Sequence, residues 1–454
     1  MLKVLHLLNY PGQGGSEKYI LGLMKALQDK CSFYLAHSLD GNLVQAMSNF
    51  NVPVRKLPLR GIWDLRAAWQ LRKLCREQAI DVLHTHFLRE NCIGVMAKLL
   101  GARVRLIHTR HMLLANSLPV KLFNRVLSLF VNRYIAVSKA VQEQMLDEGI
   151  PGRKISLIYN GVDAAEFSGA ADDPCAAGRS SEKGRHPYGS SLSGIDGRPS
   201  ASDLPGTESH PCVSDRFSEE GRHPYASGLS GADARTCPLG LQKMAGVPDV
   251  PGKATYPTSF RADLGIPDNT FVVSCAARFS TEKGHDFLLD VIKLFNELNA
   301  SNNLELKNKK AVTFLLSGDG ELYEAIKLKA RQSGLANVIF LGYRQDVPWI
   351  LKNSDLYVCP SQMEALGISV IEAMAAGLPV IATNVGGLPE ILQGSGAGIL
   401  VDYGDAEAFA QALFKLIYDE DFYQACKNNA VRIVQKRFLL SVMAEKTYQA
   451  YTDF

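Results

Sequence analysis

No apolar run approaches the ~18 residues that a membrane-spanning helix needs, and no Cys-x-x-Cys pair occurs among the nine cysteines. The first absence excludes a helical membrane-embedded protein. The second, with an odd cysteine count, argues against a disulfide framework or a cysteine zinc site and fits reduced thiols in a cytosol. The apolar stretch at 1–9 is too short for a signal peptide, and Pro11 and glycines interrupt it. A cytoplasmic location is therefore expected. Net charge is only +3, so global charge names no partner, and no nucleic-acid surface is expected. From Asn91 to Gln142 there is no acidic residue, while eight basic ones fall in that window.

The chain does carry a regular alternation. Apolar runs at 3–9, 31–37, 81–86, 103–109, 134–138 and 155–159 read as strands, with helical patterns between most of them. Such alternation predicts a parallel sheet flanked by helices, which binds ligands at the carboxyl ends of its strands. The first strand runs into Gly14-Gly15, and Ser16 is a plausible N-cap for the helix that follows. His84, His86 and His111 fall at predicted strand ends. A lone histidine there is more often structural, and no carboxylate stands nearby in sequence, so no metal site is expected. Residues 120–133 read as an amphipathic helix with Lys121, Arg125 and Arg133 beside a wide apolar face. Two readings stay open: a core helix with a solvated edge, or contact with an anionic membrane surface.

A second alternating half begins near residue 260. Its centre is a strand ending at Pro360, a turn at Ala365-Leu366-Gly367, and a helix running through Glu372. Glu364 and Glu372 stand eight residues apart. The first amides of such a helix are unpaired and suit a phosphate. Upstream, Arg278 and Lys283 follow another strand and precede a helix.

The Glu364 to Glu372 stretch, with the following Ala-Gly-Leu-Pro-Val tail, closely resembles the donor-site motif of glycosyltransferase family 4. Asn160-Gly161-Val162-Asp163, Ser317-Gly318, Gly342-Tyr343-Arg344 and Gly386-Gly387-Leu388-Pro389-Glu390 match further family segments in order. The resemblance covers about 2–167 and 260–450. It implies an α/β fold of the GT-B kind, with two Rossmann-like domains facing across a cleft. Residues 1–167 would form an acceptor domain and 260–435 a nucleotide-sugar donor domain, with a final helix at about 436–454 packing back on the first. The resemblance also implies roles. Glu372 would hold the ribose, and Arg278, Lys283 and the helix start at Leu366-Gly367-Ile368 the diphosphate. Glu364 and His111 would face the sugar, with His86 a lesser candidate. Gly14, Gly15, Gly318, Tyr343 and Arg344 would border the nucleotide or its phosphates.

The function implied is retaining transfer of a sugar from a nucleotide sugar to a glycan or lipid-linked glycan acceptor, of the cell-envelope polysaccharide or lipopolysaccharide type. The nucleotide sugar is a substrate, and neither cofactor nor metal is expected. Location at the inner face of the cell membrane, with peripheral contact through about 120–133, fits that reading. Two other functions are compatible with the motifs: a nucleotide-sugar 2-epimerase on the same plan, and a catalytically silent nucleotide-sugar-binding protein. Asp419-Glu-Asp421 is formally a D-x-D, but it lies in a polar helical stretch and reads as solvated surface.

Residues 168–259 depart from the family pattern. They are dense in Gly, Pro, Ser and Asp, and the stretch opening at Pro174-Cys175 recurs at Pro211-Cys212, 37 residues on. Each copy has too few apolar residues to stack a core, which predicts disorder. Cys175, His186, Cys212 and His223 repeat with it and read as duplicated sequence without a site. Deleting Ala170 to Pro257 is expected to leave a folded, active enzyme. Soluble yield and transfer activity of that variant check this, and loss of either would count against it.

Overall fold

The structure, a computed structural model, describes residues 1–10, 14–48, 50–114, 116–167, 260–301 and 309–453. The predicted insert lies outside the described residues. Two parallel sheets carry the fold. The first contains β1 (Leu2–Leu8), β2 (Cys31–His37), β3 (Val54–Lys56), β4 (Val82–Thr85), β5 (Arg105–Arg110), β6 (Arg133–Ala136) and β7 (Ile155–Leu157), in the spatial order 3-2-1-4-5-6-7. Between and after these strands lie α1 (Gly15–Leu27), α2 (Asn42–Ser48), α3 (Leu65–Glu77), α4 (Leu88–Leu99), α5 (Leu118–Leu127), α6 (Lys139–Asp147) and α7 (Ala164–Phe167).

The second sheet contains β8 (Phe271–Ala276), β9 (Val312–Ser317), β10 (Val338–Gly342), β11 (Leu356–Cys359), β12 (Val380–Thr383) and β13 (Gly398–Val401), in the order 10-9-8-11-12-13. Its helices are α8 (Phe260–Asp263), α9 (His285–Ser301), α10 (Tyr323–Gln332), α11 (Val347–Lys352), α12 (Ile368–Ala375), α13 (Leu388–Leu392), α14 (Ala406–Tyr418), α15 (Glu420–Arg437) and α16 (Leu440–Thr452). Both sheets reverse strand order beside their first strand. That switch point is where doubly wound sheets open a crevice for ligands.

The sequence explains the layering. Central strands such as Val380–Thr383 are buried at every position, as a sheet covered on both faces requires. Helices pack by one stripe: α3 buries Ala67, Ala68, Leu71 and Cys75 at three- and four-residue spacing. Asp64 caps it by accepting the N–H of Ala67 at 2.9 Å.

Two elements depart from the sequence expectation. The helix expected at 120–133 runs from Leu118 to Leu127, and Arg133 opens β6. It buries only Asn124 and Leu127, leaving Leu118, Leu122 and Val126 more than half exposed. It meets the core along one edge, through Leu127 and the half-buried Phe123. In α1 the cap is Gly14, not Ser16: the Glu17 carboxylate reaches back to the N–H of Gly14 at 2.8 Å.

The two sheet units are tied by named contacts. α16, which follows α15, crosses back and packs on α1. Where the chain turns between them, Val162 donates to the carbonyl of Phe438 at 2.9 Å and accepts from Leu440 at 3.0 Å. Glu390, on α13, reaches the amino end of α6. Its carboxylate accepts the N–H groups of Lys139 and Ala140 at 2.8 and 3.0 Å and the hydroxyl of Tyr159 at 2.9 Å. A negative charge there satisfies unpaired amides and opposes the helix dipole. Glu390→Ala is expected to lower stability by about 1–2 kcal/mol, read as a shift of the urea midpoint at unchanged slope. An unshifted midpoint would show that solvent replaces the cap without loss.

Candidate functional site

The carboxyl ends of the second sheet form a stitched rim. After β11 the chain passes Pro360 and turns at Gly367, whose φ of +98° few side-chain-bearing residues adopt. No side chain caps α12, so its first amides keep their partial positive charge. Glu364 stands in this loop and forms an ion pair with Lys283 at 2.6 Å, both largely buried. Burial opposes the Lys283 charge, but Glu364 outweighs it and the ammonium pKa is raised. The backbone fixes the same junction, since Gln362 and Met363 donate to the carbonyl of Glu282 at 2.9 and 3.2 Å. At Gly386 a Cβ would fall 1.8 Å from the carbonyl oxygen of Glu364, so only glycine lets the two loops close.

Glu372 lies in the second turn of α12, closer to the helix start than its distance from Glu364 suggests. It is nearly buried and pairs with Lys18 of α1. The glycine turn of the first sheet meets the same helix, because a Cβ on Gly15 would come within 2.9 Å of the Ile368 side chain. Glu364, Lys283, Gly15, Gly367, Ile368 and Glu372 therefore share one region where both sheets end. Leu366 is buried behind the helix start.

Arg278 is placed differently. Its side chain is 61% exposed, and its guanidinium binds Glu282 at 2.6 Å. It is linked to the rim through Glu282, whose carbonyl holds the Glu364 loop, and does not touch Glu364 or Glu372. Gly318 donates to the carbonyl of Gly342 at 2.8 Å, which joins the turns after β9 and β10. Tyr343 is half exposed there, whereas Arg344 is tied to Asp346 by two short hydrogen bonds. Neither cation points unpaired at the α12 start.

On the first sheet, His86 follows β4 and His111 follows β5. Nδ1 of His86 lies 3.0 Å from Nε2 of His111, and Nε2 of His86 lies 2.9 Å from Nδ1 of His6. Tyr19 of α1 meets the His111 ring edge-on at 5.1 Å. Burial pushes the His6 and His111 imidazoles down to about 3 and His86 well below its usual value, so all three are neutral near pH 7. His84 is saturated separately, by the hydroxyls of Tyr451 at 2.6 Å and Thr109 at 2.7 Å. The nitrogens of His6, His84 and His86 lie within 4.8 Å of one another. A divalent ion there would have to break these hydrogen bonds and would sit buried without a carboxylate partner in the trio.

A cavity of about 60 Å³ opens beside His111, lined among others by Asn91, Arg110 and Tyr134. Arg110 is neutralised by Glu148 in a two-pronged pair at 2.7 Å, with Asn116 and Asn124 on the same carboxylate. The cavity wall is thus polar but carries no uncompensated charge from this pair.

Sequence reasoning missed Lys18 and His6. Each left a trace: His6 interrupts the apolar run Val4–Leu8, and Lys18 follows the glycine turn by one helical turn.

Residues 13–166 match the family described as Glycosyltransferase Family 4, and residues 258–432 match Glycosyl transferases group 1. An Escherichia coli protein named UDP-Gal:alpha-D-GlcNAc-diphosphoundecaprenol alpha-1,3-galactosyltransferase is 23% identical over 414 residues, 89% of this chain and 83% of its own length. An uncharacterized glycosyltransferase of Methanocaldococcus jannaschii is 29% identical over 196 residues, 42% of this chain and about half, 47%, of that protein. In fold, the chain resembles Anabaena HepE solved with UDP and glucose, with a TM-score of 0.71 at 19% identity and full coverage of both chains. With the two parallel sheets and the Glu364 to Glu372 turn and helix, these matches establish that the chain belongs to the group 1, family 4 glycosyltransferases and is an enzyme of the GT-B fold.

Proposed function

We propose that the protein transfers a sugar from a uridine diphosphate sugar to a lipid-linked or polysaccharide acceptor, with retention at the anomeric carbon. The observation that carries this reading is the shared region of Lys283, Glu364, the uncapped start of α12 and Glu372. Glu372 takes the ribose hydroxyls once Lys18 moves aside. Lys283 exchanges Glu364 for the diphosphate, and Arg278 joins it by leaving Glu282. The named activity of the E. coli relative supports the donor class and a lipid-linked acceptor.

In the reaction the bond from the anomeric carbon to the diphosphate oxygen breaks, and its electron pair stays on the diphosphate. Lys283 and the α12 amides stabilise that charge, so no metal is required. The acceptor hydroxyl attacks from the same face and passes its proton to the departing phosphate oxygen. No covalent nucleophile is needed, because the acceptor oxygen itself forms the new bond on the face the diphosphate leaves.

The acceptor side carries an apolar surface. Leu118, Leu122 and Val126 form an exposed row along α5 at four-residue spacing, continued by Leu129. Trp63, edge-on against Phe123 at 5.4 Å, extends it. Lys121 and Arg125 lie on the same helix, and tryptophans favour the headgroup level. Among the described residues no helix is long and apolar enough to cross a membrane. We assign this surface to the cytoplasmic face of an anionic bilayer, where it would meet a lipid-linked acceptor. The six described cysteines are unpaired, in keeping with a reducing compartment.

A thermal-shift screen of nucleotide sugars is expected to select UDP sugars, because a donor stabilises the fold by mass action. With that donor, Lys283→Gln, which can still hydrogen-bond Glu364, is expected to fold with a lowered melting temperature, because Glu364 loses its buried counter-charge, and to cut turnover by about a hundredfold or more. Near-normal turnover would remove Lys283 from the site, and conversion of a nucleotide sugar without acceptor would favour the epimerase. Separately, Leu122→Ser with Lys121→Gln and Arg125→Gln should abolish sedimentation with phosphatidylglycerol vesicles. Equal sedimentation of variant and wild type would sink the membrane assignment.

A further inference from the structure

The cavity beside His111 holds unspent hydrogen-bonding capacity. Asn91 on α4 and Tyr134 on β6 both line it. Neither Oδ1 of Asn91 nor the hydroxyl of Tyr134 has a hydrogen-bond partner among the described residues. Asn91 is 2% exposed and Tyr134 1%, so open solvent does not supply one. Burial raises the Tyr134 pKa, which keeps the phenol protonated and able to donate. The wall therefore presents one acceptor, the Asn91 carbonyl, and one donor, the Tyr134 O–H.

The rest of the lining narrows what group would satisfy them. Phe87, Leu88, Met112 and Leu114 add apolar surface. Arg110 is spent on Glu148, and Asn116 and Asn124 donate to the same carboxylate. The cavity thus offers no free charge to a phosphate or a carboxylate. Its volume of about 60 Å³ excludes a sugar ring. A cavity of about 150 Å³ admits benzene, with six heavy atoms, so this one takes about three. An acetyl group has that size. Its carbonyl would accept from Tyr134, the attached amide N–H would donate to Asn91, and its methyl would cover the apolar surface. A hydroxyl carries donor and acceptor on one atom and would leave that surface bare.

Position indicates which substrate owns the group. All the lining residues come from the first sheet unit. Asn124 belongs to the buried side of α5, whose outer side presents Leu118, Leu122 and Val126. Met112 and Leu114 flank Leu113, whose side chain would lie 3.0 Å from a Cβ on Gly386. The cavity therefore borders both the helix assigned to the bilayer and the loop that meets the Glu364 rim.

We infer that this cavity receives the N-acetyl group of the acceptor sugar, and that Asn91 and Tyr134 select an N-acetylhexosamine over the plain hexose. The inference rests on the lipid-linked acceptor of the proposed function and names the sugar class at its reacting end.

The test compares lipid diphosphate acceptors that carry N-acetylglucosamine or glucose, with the UDP sugar selected by thermal shift as donor. The wild type is expected to prefer the N-acetyl acceptor by about a hundredfold or more in kcat/KM. Tyr134→Phe removes one hydroxyl, and Asn91→Leu replaces the amide by an apolar group of similar size. Each is expected to cut the preference about tenfold, and the donor-induced thermal shift shows whether each is folded. A wild type that treats the two acceptors alike, its cavity holding water only, would overturn the inference, as would an unchanged preference in both folded variants. A Tyr134→Phe enzyme that instead alters its choice between UDP-N-acetylglucosamine and UDP-glucose would give the pocket to the donor and overturn it too. If neither acceptor is turned over, the lipid-linked reading falls, and saturation-transfer NMR with methyl N-acetyl-α-glucosaminide decides the pocket. Saturation centred on the acetyl methyl and lost in Tyr134→Phe supports the inference, and none in the wild type overturns it.

Discussion

Lys283 and Glu364 are the pair on which the second half of the site depends. Each is largely withdrawn from solvent, and neither charge could stay there alone without a large desolvation cost. Together they fix the loop after β11 against the turn after β8 and hold the amino end of α12 in the open. On the proposed reading, an arriving diphosphate would take the place of Glu364 beside Lys283, and the displaced carboxylate would have to turn toward solvent.

The same exchange logic runs through the rest of the molecule. Glu372 is held by Lys18 from the opposite sheet, and Glu390 is held by the amino end of α6. Three carboxylates of the second sheet unit thus face cations or amides, two of them supplied by the first. Arg278 and Arg344 follow the rule in reverse, each turned onto a nearby acid of its own segment.

Most of the architecture was legible because parallel strands buried on both faces give unbroken apolar runs, and the helices between them give a clear 3.6-residue stripe. The Glu364 to Glu372 spacing, the glycine turns and the histidines at strand ends were legible for the same reason: they sit at places where the fold must stop and expose backbone. Contacts between distant segments were not. Lys18 carries no local signal that its partner lies on α12, 354 residues away. His6 looked like one more strand position, and only the sheet register that sets it beside His84 makes it part of a cluster. For α5, hydrophobic periodicity announced an apolar face but not whether anything covers it.

The imidazoles packed beneath the first sheet's ligand edge carry a cost under acid. His6, His84, His86 and His108 are at most 4% exposed, and burial pulls the affinity of each for protons below its ordinary value. Unfolding releases them to take up protons once the medium falls below about pH 6.5. The native form binds fewer protons than the unfolded chain, so acidification favours the latter, by up to about 1.4 kcal/mol per pH unit for each ring. Above that range the four contribute no such penalty. The amino-terminal half should therefore be the part of this enzyme that gives way first as the pH falls.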